Sequence, residues 1–274
     1  NGVQEYLTLE EGVKVCRELE KMGLDFVNVS NGIYESFNSL SEPTTYPQGC
    51  RTQRILAVKK AVSIPVIAVN MVKEPWFAEK MLEEEMVDFV GLGRAVVADP
   101  EWPLKAAQER EDEINRCISC TFCFETLVSD TIAGKGPVKC AVNPRAGREC
   151  KYPAHEKDGA GRTVVVVGAG VGGLEAARVL GERGFHVVVL EKEGRAGGQI
   201  NIADRPPHKE KMDWIVEYEL SQLKKYDVQI LINTEADAGR IASYAPYAIV
   251  LATGGTPIKP SSIPGSDLEE AVTF

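Results

Sequence analysis

The chain lacks any apolar run of eighteen or more residues, so no segment reads as a membrane-spanning helix. Its opening, NGVQEYLTLEEG, has neither the apolar core nor the flanks of a signal peptide, and the expectation is a cytoplasmic location with no membrane partner. Basic residues are in deficit, 31 Lys and Arg against 40 Asp and Glu, for a net charge of -9, and no basic tract stands out. A nucleic-acid surface needs such a patch to neutralise phosphates, so that class is set aside. Histidine is scarce: His155, His186 and His208 are scattered and form no recognisable catalytic pair. Seven cysteines is an odd count, which argues against a complete disulfide framework and for reduced thiols, some of them ligands.

What the chain does have is a dense cysteine segment near its middle. Cys117, Cys120 and Cys123 follow at two-residue spacing, and Cys140 comes after a gap of sixteen residues. Three close thiolates and one remote one suit a 4Fe-4S cluster. A structural zinc site usually comes as two pairs, and free thiols are the remaining reading. Cys150 is an alternative fourth ligand, whereas Cys16, on an apolar helix face, and Cys50 read as ordinary residues.

Before the cluster, strand and helix patterns alternate. Thr8 with Glu11 forms a capping box ahead of Leu9, Val13, Cys16, Leu19 and Met22 at helical spacing, and Gly23 ends that helix. A strand over 24–30 follows, then a loop from Asn31 to Cys50 long enough to suggest a function. A helix over 51–62, an apolar strand over 66–69, a helix from Pro75 to Met86 and a strand over 87–92 complete three βα units, which point to a parallel sheet. A helix is also expected over 105–113. In a (β/α)8 barrel, chemistry gathers at strand C-termini, here Asn70 and Gly93-Arg94, where backbone amides beside a cation suit a phosphate. A structural arginine fits Arg94 equally. Tyr34, Glu35 and Tyr46 on the long loop overhang the same end, although a tyrosine there is more often a packing residue than an acid.

After a charged, Gly-rich linker over 147–161, the pattern changes. A strand ends in Gly168-Ala169-Gly170-Val171-Gly172-Gly173 and runs into a helix. Gly168, Gly170 and Gly173 allow a tight turn and bring backbone N-H groups to a pyrophosphate at a helix N-terminus. Glu191, about twenty positions on at the end of the next strand, suits a ribose hydroxyl. Gly197-Gly198 with Gln199 favours FAD over NAD, and Thr253 with Gly254 after the last strand has the same flavour. Asn1 is not an initiator methionine, so a piece of a longer polypeptide is expected.

In their order these pieces resemble multidomain NADH:flavin oxidoreductases with an old-yellow-enzyme-type barrel, a group that includes 2,4-dienoyl-CoA reductase, enoate reductases and trimethylamine dehydrogenase. The residues that carry the likeness are Pro65 to Asn70, Asp88 to Arg94 with Ala98-Asp99-Pro100, the cysteines with Asn143-Pro144-Arg145, the glycine motif, and Gly197 to Ala203. The resemblance implies 1–114 as the last three βα units of an FMN-binding barrel, 115–150 as a 4Fe-4S segment, and 151–274 as the N-terminal part of a Rossmann-like FAD domain. It implies FMN held by Asn70, Gly93 and Arg94, FAD held by the second glycine set, and electrons passing from NAD(P)H through FAD and the cluster to FMN and an enone, enoate or enoyl-CoA. Tyr34 matches a histidine of the dienoyl-CoA reductases and becomes the candidate proton donor. Met71 stands where the family often has arginine. The spacing of the first three cysteines is similar to that of trimethylamine dehydrogenase, which keeps amine oxidation open, and the gap to Cys140 is longer than in either group. A non-catalytic FAD and iron-sulfur electron-transfer module is the second alternative, a homo-oligomer is left open, and the fragment alone is not expected to turn over.

Overall fold

The computed structural model describes residues 7–152, 156–256, 258, 260 and 262–268, so His155 lies outside the described residues. It divides into two compact units, Asn1–Pro153 and Ala154–Phe274. Among the described residues no helix is long and apolar enough to cross a membrane.

In the first unit, β1 (Val27–Val29), β2 (Val66–Ala68) and β3 (Phe89–Val90) form a parallel sheet in that order. Its helices are α1 (Leu9–Lys21), α2 (Phe37–Leu40), α3 (Thr52–Lys59), α4 (Pro75–Glu83), α5 (Arg94–Ala98), α6 (Trp102–Ala107) and α7 (Phe122–Thr126). The capping box at α1 forms as expected: the Thr8 amide donates to Glu11 at 2.8 Å and the Glu11 amide to the Thr8 hydroxyl at 3.2 Å. Pro75 begins α4 at a position where its missing N-H costs nothing. Strands are shorter than their apolar runs, since pairing in this sheet lasts only while neighbours overlap: Val27 to Val29 face Val66 to Ala68, and only Ile67 and Ala68 meet β3. The expected helix over 105–113 instead starts at Trp102 and ends at Ala107, followed by a 3-10 turn, Glu111–Glu113. The core is Val27, Ile55, Val58, Val66, Ala68, Met81 and Trp102, apolar faces of helices closing on a buried β2.

In the second unit, β4 (Thr163–Val167), β5 (His186–Leu190), β6 (Gln229–Leu231) and β7 (Ala248–Leu251) form a parallel sheet in the order β6-β5-β4-β7. The helices are α8 (Val171–Glu182), α9 (Ile200–Ala203), α10 (Asp213–Lys225) and α11 (Ala238–Ser243). Alternate residues of β4 face opposite layers: Val164 and Val166 pack with Leu174, Ala177, Val216 and Leu223, while Val165 packs with Val188, Leu190, Ile241 and Tyr244. Helices therefore cover both faces of the sheet, the doubly wound arrangement that carries a ligand at strand C-termini. The mixed α/β class with parallel sheets is thus as the sequence indicated.

Candidate functional site

In the first unit, the C-terminal ends of β2 and β3 open on a cavity of about 650 Å³. Its wall is built from three sources: the strand ends (Met71, Lys73, Gly93, Arg94), the long loop (Tyr34, Glu42) and the cysteine segment (Cys117, Ser119, Cys123). Glu42 is almost wholly buried and takes two cations. Arg51 Nε donates to its carboxylate at 2.5 Å, and Arg94 donates to its backbone carbonyl at 2.7 Å and approaches the carboxylate at 3.3 Å. Two guanidinium groups against one carboxylate leave a positive charge at the wall, the electrostatic condition for an anionic ligand. Gly93 and Arg94 both line the cavity. A Cβ at Gly93 would meet nothing within 4 Å, so the glycine leaves open room there rather than relieving a clash.

Asn70 does not face this cavity. It is wholly buried even though one end of the sheet is open, and its side chain is engaged internally: Oδ1 accepts from the Arg51 amide at 2.8 Å and Nδ2 donates to Thr52 Oγ1 at 2.9 Å. Its carbonyl accepts from the Gly49 amide at 3.0 Å. Its side chain is a strut between the end of β2 and the start of α3. Its neighbours Met71, Val72 and Lys73 line the cavity; Met71 adopts φ 53°, turning the chain after β2. Tyr34 starts a 3-10 turn, Tyr34–Ser36, and stands at the cavity with 83% of its surface exposed. Glu35 and Tyr46 are not part of the wall.

The cysteine segment folds back on itself through two ties. Asn115 Nδ2 donates to the Val142 carbonyl at 2.6 Å, and the Lys139 amide donates to Thr126 Oγ1 at 3.0 Å. The first joins the two ends of the segment, the second joins Cys140's neighbour to the helix that carries Cys123. The sixteen-residue gap is taken up by α7, a π-helical turn at Leu127–Thr131 and an exposed loop. Cys117 and Cys120 consequently raise the thiol of Cys140, and both act in the same sense on Cys123. Burial is the larger cause in each case: it pushes Cys140 up to about 11 and Cys123 up, with Arg94 pulling Cys123 the other way. Cys150 is exposed on a turn.

Among the described residues no three His, Cys, Asp or Glu side chains converge closely enough to hold a metal ion. Cys117 and Cys120 act electrostatically on both Cys123 and Cys140, which puts the four sulfurs in one neighbourhood. Their surroundings nonetheless fit a thiolate-bound cluster. The Ser119 amide lies 3.5 Å from Cys117 Sγ, the Phe124 amide serves Cys123, and those of Val142 and Asn143 serve Cys140. Backbone N-H groups aimed at sulfur stabilise its charged form and tune a bound cluster.

In the second unit the glycine loop is held by contacts that exclude side chains. A Cβ on Gly173 would lie 1.9 Å from the Gly168 carbonyl oxygen, and Gly168 itself has φ 99° with the Ala252 carbonyl 2.5 Å from where a Cβ would be. Gly197 and Gly198 both have positive φ, and Gly197 bridges to Gly170 by donating to the Ala169 carbonyl at 2.8 Å. The two glycine motifs therefore meet at the N-terminus of α8, the kind of place where backbone N-H groups can serve a phosphate. The buried carboxylate of Glu191, the expected ribose partner, accepts the Ala169 amide at 2.7 Å and the Glu193 amide at 2.9 Å, so it braces the loop. Gln199 reaches the Gly255 carbonyl at 3.4 Å, linking the cradle to the Thr253-Gly254-Gly255 segment. His186 and His208 are exposed.

The profile of the NADH:flavin oxidoreductase / NADH oxidase family matches residues 3–113, the stretch that builds the strand ends of the cavity. Through those residues the chain is similar to that family. A second profile, the NAD(P)-binding Rossmann-like domain, matches residues 166–229. The chain is 40% identical over 268 residues to an NADH oxidase of Thermoanaerobacter brockii, covering 97% of this chain and 40% of that one. It is 33% identical over 258 residues to an N,N-dimethylglycine/sarcosine dehydrogenase of Chromohalobacter salexigens, covering 92% of this chain and 36% of that one. Among solved structures, a 2-naphthoyl-CoA reductase in complex with 2-naphthoyl-CoA superposes with a TM-score of 0.85 at 30% identity, covering 95% of this chain and 39% of that one. The chain thus spans about two fifths of the length of the relatives it matches.

The sequence missed Glu42, Arg51, Lys73 and Ser119. Glu42 and Arg51 carried a weak signal, opposite charges bracketing a long Pro- and Gly-containing loop. Lys73 and Ser119 meet only through the fold.

Proposed function

We propose that the chain is part of an NAD(P)H-dependent flavin and iron-sulfur oxidoreductase that reduces C=C bonds of α,β-unsaturated carbonyl compounds. Residues 1–114 contribute an FMN site, 115–150 a 4Fe-4S site and 151–274 an FAD site. The observation that carries this reading is the shared wall of one cavity, on which Arg94 and Cys123 act upon one another. When bound, FAD and the cluster supply electron relay from nicotinamide and FMN supplies hydride to the carbon β to the carbonyl. Arg94 and the amides at Gly93 hold the FMN phosphate. Cys117, Cys120, Cys123 and Cys140 hold the cluster. The glycine cradle holds the FAD pyrophosphate and Glu191 its ribose. Tyr34 donates a proton to the carbon α to the carbonyl from the solvent side of the cavity.

Flavin and iron analysis of the full-length polypeptide tests this. Equal FMN and FAD with iron is expected; FAD and iron without FMN would sink the reading. A second reading, amine oxidation with electrons running the opposite way, is favoured by the dehydrogenase relative. Anaerobic reduction by NADH followed by reoxidation with an enone, compared with reduction by trimethylamine, separates the two.

A further inference from the structure

Both ends of the cysteine segment are fastened to one place in the first unit, the turn that closes α5. Asp99 follows α5, is buried, and has three donors on its carboxylate. Oδ2 accepts the Asn115 amide at 2.8 Å and the Lys105 ammonium at 2.7 Å, and Oδ1 accepts the Glu101 amide at 3.0 Å. A buried carboxylate engaged on both oxygens holds its partners in one arrangement, because releasing any of them leaves a buried polar group unsatisfied. At the far end of the segment, Asn143 Nδ2 donates to the Val97 carbonyl at 3.0 Å, while its Oδ1 accepts the Arg145 amide at 3.1 Å and fixes the local turn. The Val97 carbonyl is one of those at the end of α5 that a helix cannot pair within itself, so Asn143 supplies the bond that the helix end lacks.

Helix α5 has only 5 residues, a length of about 7.5 Å at the rise of an α-helix. Its first residue is Arg94, which lines the cavity together with Cys117 and Cys123. One short element therefore carries the cation of the cavity wall at its start and the base of the cysteine segment at its end. We propose that Asp99 and Asn143 are positioning residues that couple the two: a phosphate group held by Arg94 restrains α5, and through the Asp99 carboxylate and the Val97 carbonyl it restrains Asn115 and Asn143. This rests on the FMN reading given above. The path is a contiguous set of hydrogen bonds rather than mere nearness, and the coupling is reciprocal, so an ordered cysteine segment also improves the phosphate site.

The test is amide hydrogen exchange of the full-length polypeptide stripped of FMN, then given either FMN or riboflavin, which share the ring system and differ in the phosphate. FMN is expected to slow exchange across residues 138–146 by about fivefold or more, the lower end of a coupling between two sites, and riboflavin is not. Asn143→Ala is expected to bind FMN and lose most of that slowing. A merely structural role would speed exchange with and without FMN alike and leave the difference between them in place, so Asn143→Ala with the parent's difference overturns the proposal. Should Asn143→Ala fail to fold or to bind, the parent decides: slowing by FMN alone supports the proposal, and equal slowing by both probes overturns it. FMN bound to the parent without any slowing overturns the proposal and leaves the FMN reading intact, whereas a parent that binds no FMN overturns both.

Discussion

Asn115 and Val142 stand 27 residues apart in sequence, yet the Asn115 side-chain amide and the Val142 carbonyl meet at 2.6 Å. The bond closes the cysteine segment at its base. Asn115→Ala leaves that carbonyl without its partner and is expected to cost about 1–3 kcal/mol of stability. Thermal unfolding checks the stability, and iron content checks the consequence for the cysteines, which is a loss of cluster retention.

Between Cys140 and Cys150, their places in the fold favour Cys140 as the fourth ligand of the proposed cluster. Cys140 is half-buried near the other three and served by two amides, whereas Cys150 is exposed on a turn. Cys140→Ala in the full-length polypeptide is expected to lose its iron and Cys150→Ala to keep it. The reverse pattern in iron and sulfide analysis would reassign the site.

Neighbouring glycines in the dinucleotide loop are expected to behave oppositely. At Gly173 a Cβ would lie 1.9 Å from the Gly168 carbonyl oxygen, a backbone atom that cannot swing aside, and Gly173→Ala is expected to cost about 1–3 kcal/mol or more. At Gly172 a Cβ meets nothing within 4 Å, so Gly172→Ala is expected to be neutral or to stabilise α8 by up to about 1 kcal/mol. Melting temperatures of the two variants, measured side by side, make the comparison.

A buried charge cluster between α8 and α10 sets a pH dependence. Glu219 is pushed up from 4.5 to about 8, first by burial and then by the charge of Glu175, against a weaker pull from Arg178. Arg178 lies 3.7 Å from it but bonds to Glu175, which leaves Glu219 Oε2 without a hydrogen-bond partner among the described residues. Between pH 4.5 and about 8 the folded chain keeps a proton that the unfolded chain has released, so stability falls as pH rises through this window. Glu219→Gln, which stays neutral, is expected to flatten that slope and raise stability at pH 8 and above. Denaturant unfolding from pH 5 to 9 reads it.

Much of the fold was legible because its signals are local. The capping box at Thr8, the apolar run of β2 and the glycine motif after β4 each state their structure within a few residues. Asp237 was also a readable signal, since it caps α11 through the Arg240 amide at 2.8 Å, a helix that the sequence reading passed over. Helix α7 had no such signal: it begins after Thr121 at φ 62°, inside a motif dominated by cysteine. The wall of the site was legible only in part. Whether Asn70 points outward or inward depends on how β2 sits against α3, and the meeting of Lys73 with Ser119 spans 46 positions. Neither relation leaves a periodicity to read.

The tie from Lys139 to Thr126 separates two jobs within the cysteine segment. Everything that positions Cys123 and Cys140 lies at or below that hydrogen bond, while residues 131–135 above it are all exposed. An insertion or deletion within residues 131–135 is therefore expected to leave the tie from Lys139 to Thr126 in place, so the length of the third gap is the elastic part of the motif.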